Sequence, residues 1–373
     1  MSSLIIIVNE DRFFLSHRLP IAAAARMNGY KVTIAAKDTG DKDLIIKSGF
    51  DFIDLPINPT GMNIFQEIKT YQFLKSLYVS LKPDIVHHVG LKNILWGGLA
   101  AKVTKVNGVV NAVSGLGGLF NSEKLKLITK GILRIMRYSN NRSGVAVIFQ
   151  NNEDEDIFLR SKAVAKEQVY LTHGSGIDLN EYQYVEEPFG EPVKIIFTGR
   201  MVKEKGVCDL IAAAELLKEE FKDKVQFLLC GRLTPNKSGL TREYMDEHCD
   251  GSYICWLGER NDIKQLLEKS HIMSFPSYYR EGVPKSLIEA SAIGRPIVTC
   301  DSTGCRDVVE DGINGFLVEP RKPQQLADKL RILILDRQLR ITMGKNARKK
   351  AESDFSIQNV IETHLNIYNK LTK

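Results

Sequence analysis

Two glutamates lie eight residues apart in a stretch that favours a loop followed by a helix. Glu281 lies in a turn that contains Pro284, and Glu289 lies on the helix predicted over 285–293, which Gly294 ends. Proline suits a first helical turn, where its missing N–H has no partner within the helix. The free N–H groups at such a helix end attract phosphate. The two carboxylates are then suited to accept hydrogen bonds from hydroxyl groups, as a sugar or a ribose would offer.

Two cations lie in a second loop. Arg200 and Lys205 follow the apolar strand predicted over 193–198 and precede the helix predicted over 207–219. Two cations at a helix N-terminus can hold a diphosphate, and they can stabilise charge on a diphosphate leaving group without a metal. The alternative interpretation is that they are exposed loop charges.

Two adjacent histidines end the strand predicted over 84–88. His87 or His88 could act as a general base or donate a hydrogen bond to a substrate. A structural role for a histidine at a strand end is the equally weighted alternative. The sequence leaves open whether either imidazole meets a substrate.

Two further loops of the first half follow predicted strands. The loop 9–14 carries Arg12, a candidate phosphate contact, although a solvated loop charge explains it as well. The loop 114–118 is rich in glycine, and its N–H groups could face a phosphate. Its spacing differs from the dinucleotide-binding fingerprint, so the signal is weak.

Strands and helices alternate along both halves of the chain, which predicts an α/β fold with two doubly wound parallel sheets. An acidic, proline-containing stretch separates the halves. We therefore expect an N-terminal domain over 1–178, a linker over 179–192, a C-terminal domain over 193–355 and a last helix over 356–373. Ligands of such sheets bind beyond the carboxyl ends of the strands, which places the candidate residues at a cleft between the domains.

The charge of the chain is unevenly distributed. The 373 residues have a formal net charge of +6, and residues 101–150 carry eight Lys or Arg against one Glu. The segment 123–138 combines apolar residues at helical spacing with basic ones. It resembles a helix that lies on an anionic membrane surface, and a domain helix with an exposed basic face is the alternative. No nucleic-acid-binding module is recognisable, so we expect no nucleic-acid partner.

The remaining composition is that of an ordinary globular protein, with 43% hydrophobic and 26% charged residues. The six cysteines form no CxxC pair and have no histidine at zinc-like spacing, so we expect reduced thiols in the cytoplasm. The first residues resemble no signal peptide, and no apolar run reaches the roughly 20 residues that span a bilayer.

Several motifs occur together in a fixed order. Over about 120 residues the second half has Thr198-Gly-Arg200 with Lys205-Gly206, Trp256-Leu-Gly258, Pro276-Ser-Tyr, Glu281-x7-Glu289-Ala, Gly294-Arg-Pro-Ile-Val and Asp311-Gly-Ile-Asn-Gly315. This series resembles glycosyltransferase family 4, whose members are retaining enzymes of the GT-B fold. The first half adds Phe14-Leu-Ser-His-Arg-Leu-Pro20, Pro83-Asp-Ile-Val-His87 and Ser114-Gly-Leu-Gly117. These resemble the bacterial members that extend sugars on undecaprenyl pyrophosphate.

The resemblance implies a fold and a set of donor contacts. The GT-B fold consists of two Rossmann-like doubly wound domains that face an interdomain cleft. The resemblance also implies that the last helix, over 356–373, crosses back to the N-terminal domain. The equivalents of Arg200 and Lys205 hold the donor diphosphate, that of Glu281 contacts the sugar hydroxyls and that of Glu289 contacts the ribose. Glu259 and Arg260 border the base. Backbone contacts to sugar and phosphate come from the residues between the glutamates: Gly282, Val283, Pro284, Lys285, Ser286 and Leu287.

On the acceptor side this sequence departs from the family pattern twice. Many relatives have a glycine-rich loop where this chain has residues 9–14, and many have a histidine where this chain has Val89. The expected acceptor-side residues are Arg12, His17, Lys92, Gly115 and Gly117.

The resulting hypothesis is a retaining glycosyltransferase at the inner face of the cytoplasmic membrane. It would transfer a hexose or an N-acetylhexosamine from a UDP-sugar to a polyprenyl-pyrophosphate-linked saccharide, as a peripheral membrane protein. The resemblance implies no cofactor and no metal. The alternatives are a non-hydrolysing UDP-sugar epimerase and a non-enzymatic bilobed sugar-binding protein.

Overall fold

The computed structural model of this chain describes residues 1–58, 61, 63–117, 120, 126–235 and 238–372. The chain forms two compact units, Met1–Gly176 together with Ile357–Lys373, and Ile177–Ser356. The last helix therefore belongs to the N-terminal unit. The expected linker over 179–192 is not a separate segment, because Leu179, Tyr182 and Val185 pack against the core of the C-terminal unit.

The N-terminal unit contains a seven-stranded parallel sheet with the strand order β3-β2-β1-β4-β5-β6-β7. Its strands are β1 Ser3–Glu10, β2 Lys31–Lys37, β3 Asp51–Asp54, β4 Ile85–Val89, β5 Gly108–Ala112, β6 Val145–Phe149 and β7 Val169–Leu171. The apolar run of β1 is buried on both faces, as the sequence predicts for a central parallel strand. Ile5 and Ile7 enter the core on one face, whereas Leu4 and Ile6 enter the core on the other.

Helices cover both faces of this sheet. The first core includes residues of α1 Asp11–His17, α2 Leu19–Met27, α3 Lys42–Lys47 and α14 Ile357–Leu371. The second core includes residues of α4 Ile64–Leu81, α5 Leu91–Thr104, α6 Lys126–Asn140 and α7 Asn152–Arg160. In the described part of the chain, every helix falls short of the length or the apolar character that crossing a bilayer requires.

The C-terminal unit repeats the arrangement with six parallel strands in the order β10-β9-β8-β11-β12-β13. The strands are β8 Val193–Thr198, β9 Val225–Cys230, β10 Ile254–Gly258, β11 Ile272–Phe275, β12 Ile297–Cys300 and β13 Gly315–Val318. The helices are α8 Val207–Phe221, α9 Arg242–His248, α10 Ile263–Glu268, α11 Lys285–Ile293, α12 Pro323–Leu335 and α13 Arg337–Asp354. The predicted doubly wound topology is thus confirmed for each unit, and all six cysteines are free.

The predicted loop over 9–14 is wrong. β1 continues to Glu10, and α1 begins at Asp11. The buried carboxylate of Asp11 accepts the backbone N–H of Thr39 at 2.7 Å and that of Asp41 at 2.9 Å. These contacts are distant in sequence, so local propensity could not reveal them.

A glycine allows the loop after β8 to approach the end of β11. Gly206 has φ +77°, and a Cβ atom there would lie 2.1 Å from the carbonyl oxygen of Pro276. Gly206 directly precedes α8 and follows Lys205. The close backbone contact therefore brings the loop that carries Lys205 against the segment that leads to Glu281.

We expect Gly206→Ala to destabilise the C-terminal unit by roughly 2–4 kcal/mol, from the positive φ and the overlap with Pro276 together. Gly251→Ala is the matched control, since Gly251 has φ +76° but no atom within 4 Å of the place that an added methyl group would take. That control should cost only about 1 kcal/mol. Thermal and urea unfolding of both variants measure the difference. Equal costs would show that the approach to Pro276 is not tight.

Candidate functional site

The side chains of Lys205 and Glu281 form an ion pair. The Lys205 Nζ atom lies 2.5 Å from Glu281 Oε1, and the two side chains are 14% and 13% exposed. The same ammonium group lies 4.9 Å from the centre of the Phe275 ring, within the range of a cation–π contact. The structure thus brings together a cation and a carboxylate that belong to two separate sequence motifs.

The topology of the sheet explains this contact. β8 and β11 are neighbours in the sheet, although they are not consecutive in the chain. Lys205 follows β8 and Glu281 follows β11, so both lie beyond the carboxyl ends of adjacent strands. The strand order reverses at this point, which is where ligands of doubly wound sheets bind.

One backbone carbonyl fixes the distance between the two loops. The oxygen of Glu204 accepts the N–H of Tyr278 at 3.0 Å and that of Tyr279 at 3.1 Å. It also accepts the hydroxyl of Ser277 at 3.2 Å. Because Glu204 directly precedes Lys205, these bonds hold the ammonium group beside the turn that contains Glu281.

Arg200, the second predicted cation, is exposed on the same loop. Within the part of the chain that the structure describes, its side chain forms no hydrogen bond or ion pair. Lys205 is thus held in place, whereas the Arg200 guanidinium group has all its donors available. An anion that reaches this loop would meet one fixed and one adaptable cation.

Glu289 lies on the second turn of α11 and is 13% exposed. Its Oε1 atom lies 3.6 Å from Lys285 Nζ and accepts the hydroxyl of Tyr182 at 3.4 Å. Burial raises the pKa of Glu289, and Lys285 and Tyr182 oppose this only in part. The carboxylate is therefore incompletely compensated, which suits a group that receives hydrogen bonds from a ligand.

The residues between the two glutamates form a turn and the start of α11. The predicted helix Lys285–Ile293 and its end at Gly294 are confirmed, and Pro284 is the residue that caps it. The residues of this segment are buried or half-buried, namely Gly282, Val283, Pro284, Lys285, Ser286 and Leu287. The backbone at this edge of the sheet is thus rigidly packed, as a site that reads a ligand with main-chain groups requires.

Glu259 and Arg260 follow β10 at the same edge of the sheet. Arg260 donates to both carboxylate oxygens of Asp262, at 2.8 and 2.6 Å. Together with Asn261 and Gln265 these residues line a shallow depression of the C-terminal unit. The strand order places two strands, β9 and β8, between this depression and β11. Contact with a nucleotide base stays a prediction for this position.

His87 and His88 lie inside the N-terminal unit, and neither is exposed. His87 Nδ1 lies 2.7 Å from the hydroxyl oxygen of Tyr368. His88 Nε2 lies 2.8 Å from the hydroxyl oxygen of Tyr78, and His88 Nδ1 lies 2.8 Å from Asn111 Oδ1. The two rings are thus enclosed and bonded to core side chains. This geometry favours the structural interpretation of both histidines over contact with a substrate.

The same region holds further buried basic groups. His364 packs against His87 with ring centres 5.4 Å apart, and Arg18 is 2% exposed. Burial lowers the pKa of His88 to about 4 and that of His364 to about 3. It also lowers the pKa of His87 well below its usual value, and neighbouring positive charges add to this effect. These imidazoles are therefore neutral at neutral pH.

Two expected acceptor-side cations already have carboxylate partners. Arg12 Nε lies 2.9 Å from Asp41 Oδ2, and Lys92 Nζ lies 2.6 Å from Glu67 Oε1. Lys92 also donates to the carbonyl of Asn58 at 2.8 Å. Both cations therefore tie segments of the N-terminal unit together, and an acceptor phosphate would have to compete with these partners.

The other expected acceptor-side residues lie in turns. His17 ends α1, and its ring stacks on Phe13 with centres 4.3 Å apart. Gly115 and Gly117 both have positive φ, 103° and 64°, in the segment after β5. Gly118, also part of the predicted glycine-rich loop, lies outside the described residues. The carbonyl oxygen of His17 accepts a hydrogen bond from Arg18 at 3.0 Å, and a role of these three residues on the acceptor side stays a prediction.

The positive charge near Glu281 comes from side chains. Among the residues that the structure describes, no group of three His, Cys, Asp or Glu side chains is arranged to hold a metal ion. A diphosphate at this edge of the sheet would meet the ammonium group of Lys205 and the guanidinium group on the same loop. Whether the reaction proceeds without a metal stays a prediction.

The sequence did not single out Ser277 or Glu204 as parts of the site. Ser277 lies in the quoted motif, but a buried serine has no distinctive pattern, and its hydroxyl lies 3.1 Å from Glu281 Oε1. Glu204 acts through its backbone carbonyl, which any residue type could supply. Only the fold shows these contacts, because they join loops that are distant in sequence.

Most apolar residues of the basic helix α6 pack against the core of the N-terminal unit. Ile132 and Ile135 pack against the core, and Met136 is buried within it. Leu127 and Ile128 at its start are 83% and 45% exposed. The exposed cations of α6 are Lys126, Lys130, Arg134 and Arg137. Glu123, Lys124 and Leu125, also part of the predicted amphipathic segment, lie outside the described residues.

Two family models match the chain, one in each half. The model described as "Glycosyl transferase 4-like" matches residues 3–151, and the model described as "Glycosyl transferases group 1" matches residues 180–350. The second match contains Arg200, Lys205 and the two glutamates Glu281 and Glu289. The two matches together span most of the chain.

Similar proteins include two bacterial enzymes of nearly the same length. N,N'-diacetylbacillosaminyl-diphospho-undecaprenol alpha-1,3-N-acetylgalactosaminyltransferase of Campylobacter jejuni is 26% identical over 96% of this chain and 98% of its own length. UDP-Gal:alpha-D-GlcNAc-diphosphoundecaprenol alpha-1,3-galactosyltransferase of Escherichia coli is 26% identical over 93% of this chain and 94% of its own.

Solved structures show the same fold. Anabaena HepE in complex with UDP-glucose has a TM-score of 0.76 at 19% identity and covers 99% of this chain and 100% of its own. WaaG, a glycosyltransferase involved in lipopolysaccharide biosynthesis, has a TM-score of 0.74 at 16% identity over 98% of this chain and 99% of its own. The expected GT-B fold is thereby confirmed.

Acid should destabilise the N-terminal unit through its buried histidines. Their pKa values lie below the unfolded value of about 6.5, so the unfolded chain binds more protons as the pH falls below that value. We expect the free energy of unfolding to fall by up to about 1.4 kcal/mol per pH unit for each such histidine. Urea unfolding at several pH values between about 7 and 5 measures this slope.

The variant His364→Leu removes one titrating group. It should therefore reduce the dependence of the free energy of unfolding on pH by the contribution of one proton. The carboxylates are the same in both proteins, so their titration does not contribute to the difference between the two slopes. A stability that does not change with pH in this range would contradict the assignment of neutral, buried imidazoles.

Proposed function

The chain belongs to the glycosyltransferases of the group 1 and 4-like families, and on that premise we propose that it transfers a hexose or an N-acetylhexosamine from a UDP-sugar to a saccharide linked to a polyprenyl pyrophosphate. The observation that carries the proposal is the contact between Lys205 and Glu281 at the ends of β8 and β11. A donor needs a cation for its diphosphate and an acceptor of hydrogen bonds for its sugar, and this contact supplies both at one place. Family membership disfavours the epimerase and the sugar-binding protein.

In this proposal Arg200 and Lys205 bind the donor diphosphate. The bond between the anomeric carbon and the diphosphate breaks, and negative charge develops on the leaving group. The fixed ammonium group of Lys205 and the adaptable guanidinium group of Arg200 stabilise this charge, and the proposed reaction uses no catalytic metal. Lys205 is restrained by Glu281 and by the Phe275 ring, so little reorganisation is required of it during the reaction.

The two glutamates orient the donor. Glu281 accepts hydrogen bonds from hydroxyls of the sugar, and Glu289 accepts them from the ribose. Burial raises the pKa of Glu289, and a ribose hydroxyl would restore part of the hydrogen bonding that this carboxylate lost with water. Glu259 and Arg260 border the base, in the shallow depression beyond β10.

The anomeric configuration is retained in the proposed reaction. The acceptor hydroxyl attacks from the face that the diphosphate leaves, and its proton passes to an oxygen of the leaving phosphate. The new glycosidic bond forms on the same face. The protein orients both substrates and stabilises charge, which accounts for a site without a dedicated protein base.

The acceptor class follows from the relatives. The names of the Campylobacter and Escherichia coli enzymes both specify a sugar linked to undecaprenol through a diphosphate. We extend that class to this chain, with the N-terminal unit as the acceptor domain. The acceptor would compete with Asp41 and Glu67 for Arg12 and Lys92, because both cations are paired within the protein.

A lipid-linked acceptor places the reaction at the cytoplasmic face of the membrane. The exposed cations of α6 can attract anionic lipid headgroups at about 1 kcal/mol each near the surface. Leu127 on α6 and Phe65 on α4, 83% and 79% exposed, offer apolar groups from the same helical layer of the N-terminal unit. We propose peripheral binding through these elements.

The donor proposal is tested by release of UDP. The purified protein is mixed with a panel of UDP-sugars and a polyprenyl-pyrophosphate-linked saccharide. Arg200→Ala and Lys205→Ala should each lower kcat/KM about 100-fold, since each removes a charge that stabilises the leaving group. Lys203→Ala is the matched control, because Lys203 lies exposed in the same turn as Lys205. Wild-type rates in the Arg200 and Lys205 variants would overturn the site.

The membrane proposal is tested by sedimentation with phospholipid vesicles. Binding should require anionic lipid and weaken as salt increases, because salt screens surface charge. The double variant Lys130→Glu and Arg134→Glu should abolish it. Lys47→Glu on α3, which lies on the opposite face of the sheet, is the control. Equal binding by the α6 variant and the control would exclude α6 as the membrane contact.

A further inference from the structure

Ser277 lies where three loops of the C-terminal unit meet. Its hydroxyl lies 3.1 Å from Glu281 Oε1 and 3.2 Å from the carbonyl oxygen of Glu204. Its own carbonyl oxygen accepts the hydroxyl of Ser302, at 2.7 Å, from the loop after β12. Ser277 is completely buried. It thus contacts the loops that follow β8, β11 and β12 without being accessible to a ligand itself.

The two oxygens of the Glu281 carboxylate have different surroundings. Oε1 receives the ammonium group of Lys205 at 2.5 Å and the hydroxyl of Ser277 at 3.1 Å. Oε2 has no hydrogen-bond partner within the described residues. A carboxylate held through one oxygen has a fixed plane, and its second oxygen keeps its capacity to accept hydrogen bonds.

We infer that Ser277 is a positioning residue for the donor sugar: together with Lys205 it holds Oε1 of Glu281, so that Oε2 remains available to a sugar hydroxyl. This inference rests on the proposed function and adds a residue to it. Lys205 alone could not fix the carboxylate plane, because an ammonium group on a flexible stem sets a distance but little direction. The hydroxyl of Ser277 provides the second hydrogen bond to Oε1, which restricts the direction of the carboxylate.

The backbone of Ser277 is held independently of its hydroxyl. Its N–H donates to the carbonyl of Phe275 at 2.8 Å, and its carbonyl is bonded to Ser302. The N–H groups of Tyr278 and Tyr279 keep their bonds to Glu204 when the hydroxyl is absent. Ser277→Ala therefore removes the contacts of the hydroxyl with Glu281 and with the carbonyl of Glu204, and the bond that it accepts from the N–H of Tyr279 at 3.3 Å, but it leaves these backbone bonds in place.

The strand that precedes Ser277, β11, contains a residue that serves as a matched control. Ser274 lies on β11, is as completely buried as Ser277, and its hydroxyl has no hydrogen-bond partner within the described residues. Ser274→Ala removes the same atom from the same neighbourhood without touching Glu281. A difference between the two alanine variants therefore reports the hydrogen bonds of the Ser277 hydroxyl and not the loss of a buried hydroxyl, and the Glu281→Ala background then isolates the bond to the carboxylate.

Three quantities are measured for each variant: kcat by UDP release with the donor that the wild type uses, the Kd of that UDP-sugar and the Kd of UDP. Ser277→Ala should lower kcat roughly tenfold and weaken the binding of the UDP-sugar, as loss of a hydrogen bond to a charged group does. UDP lacks the transferred sugar that Glu281 would contact, so its Kd should stay at the wild-type value. Ser274→Ala should leave all three quantities unchanged.

Combination with Glu281→Ala separates positioning from a structural role. If Ser277 acts through the carboxylate, Ser277→Ala should weaken UDP-sugar binding no further in the Glu281→Ala background. An equal additional loss in that background, or a parallel loss of UDP affinity, would overturn the inference. If Ser277→Ala does not fold, the same measurements are made on Ser277→Cys. Cysteine is similar in volume to serine, but its S–H group is only a weak hydrogen-bond donor.

The proposed function fails separately from this inference. A wild-type protein that releases UDP from no donor of the panel would contradict the transferase proposal itself. An active wild type whose Ser277→Ala variant equals Ser274→Ala would contradict the positioning role alone.

Discussion

The ion pair between Lys205 and Glu281 is the contact on which the rest of the site depends. A charge with so little exposure is costly unless a partner or a ligand compensates it, and removing one partner of a buried pair typically costs about 3–5 kcal/mol. Within the protein the two residues compensate each other. In the proposed function, a diphosphate with its sugar would give each of them a new partner, and the pair would keep both groups in position until the donor arrives. Two backbone contacts position this pair. The carbonyl of Glu204 accepts hydrogen bonds from the loop after β11, and Gly206 allows the loop after β8 to approach Pro276.

The polar groups singled out in the two units are arranged differently. In the C-terminal unit, Lys205, Glu281 and Glu289 lie on segments that follow β8 and β11, where the strand order reverses. In the N-terminal unit, several buried polar residues bond to other residues of the same unit. Asp11 holds the segment after β2, His88 joins Tyr78 to Asn111, and His87 meets Tyr368 of the last helix. This difference is consistent with a fixed donor site in one unit, while the N-terminal unit uses its polar groups for its own integrity.

Much of the fold could be predicted because local signals and topology agreed. Pro284 and Gly294 bound the helix that carries Glu289, and alternating strands and helices predict a doubly wound sheet. The observed strand order places the loops after β8 and β11 side by side, although chain order alone does not show that these two strands are neighbours. The failures concern contacts between distant segments. Local sequence patterns do not predict contacts with partners that are distant in the chain. Such partners determine the helix that begins at Asp11, the ion pair between Lys92 and Glu67, and the burial of His87 and His88. The contacts of Ser277 could not be predicted for the same reason, since they include the loop after β8, which is distant in sequence.

The most direct test of the account is a crystal structure of the protein with UDP bound. The account predicts that the diphosphate lies beyond the carboxyl ends of β8 and β11, with oxygens within hydrogen-bond distance of Lys205 Nζ and the Arg200 guanidinium group, and with the ribose at Glu289. A diphosphate bound elsewhere, with the Lys205–Glu281 pair unchanged and remote from it, would contradict the central claim.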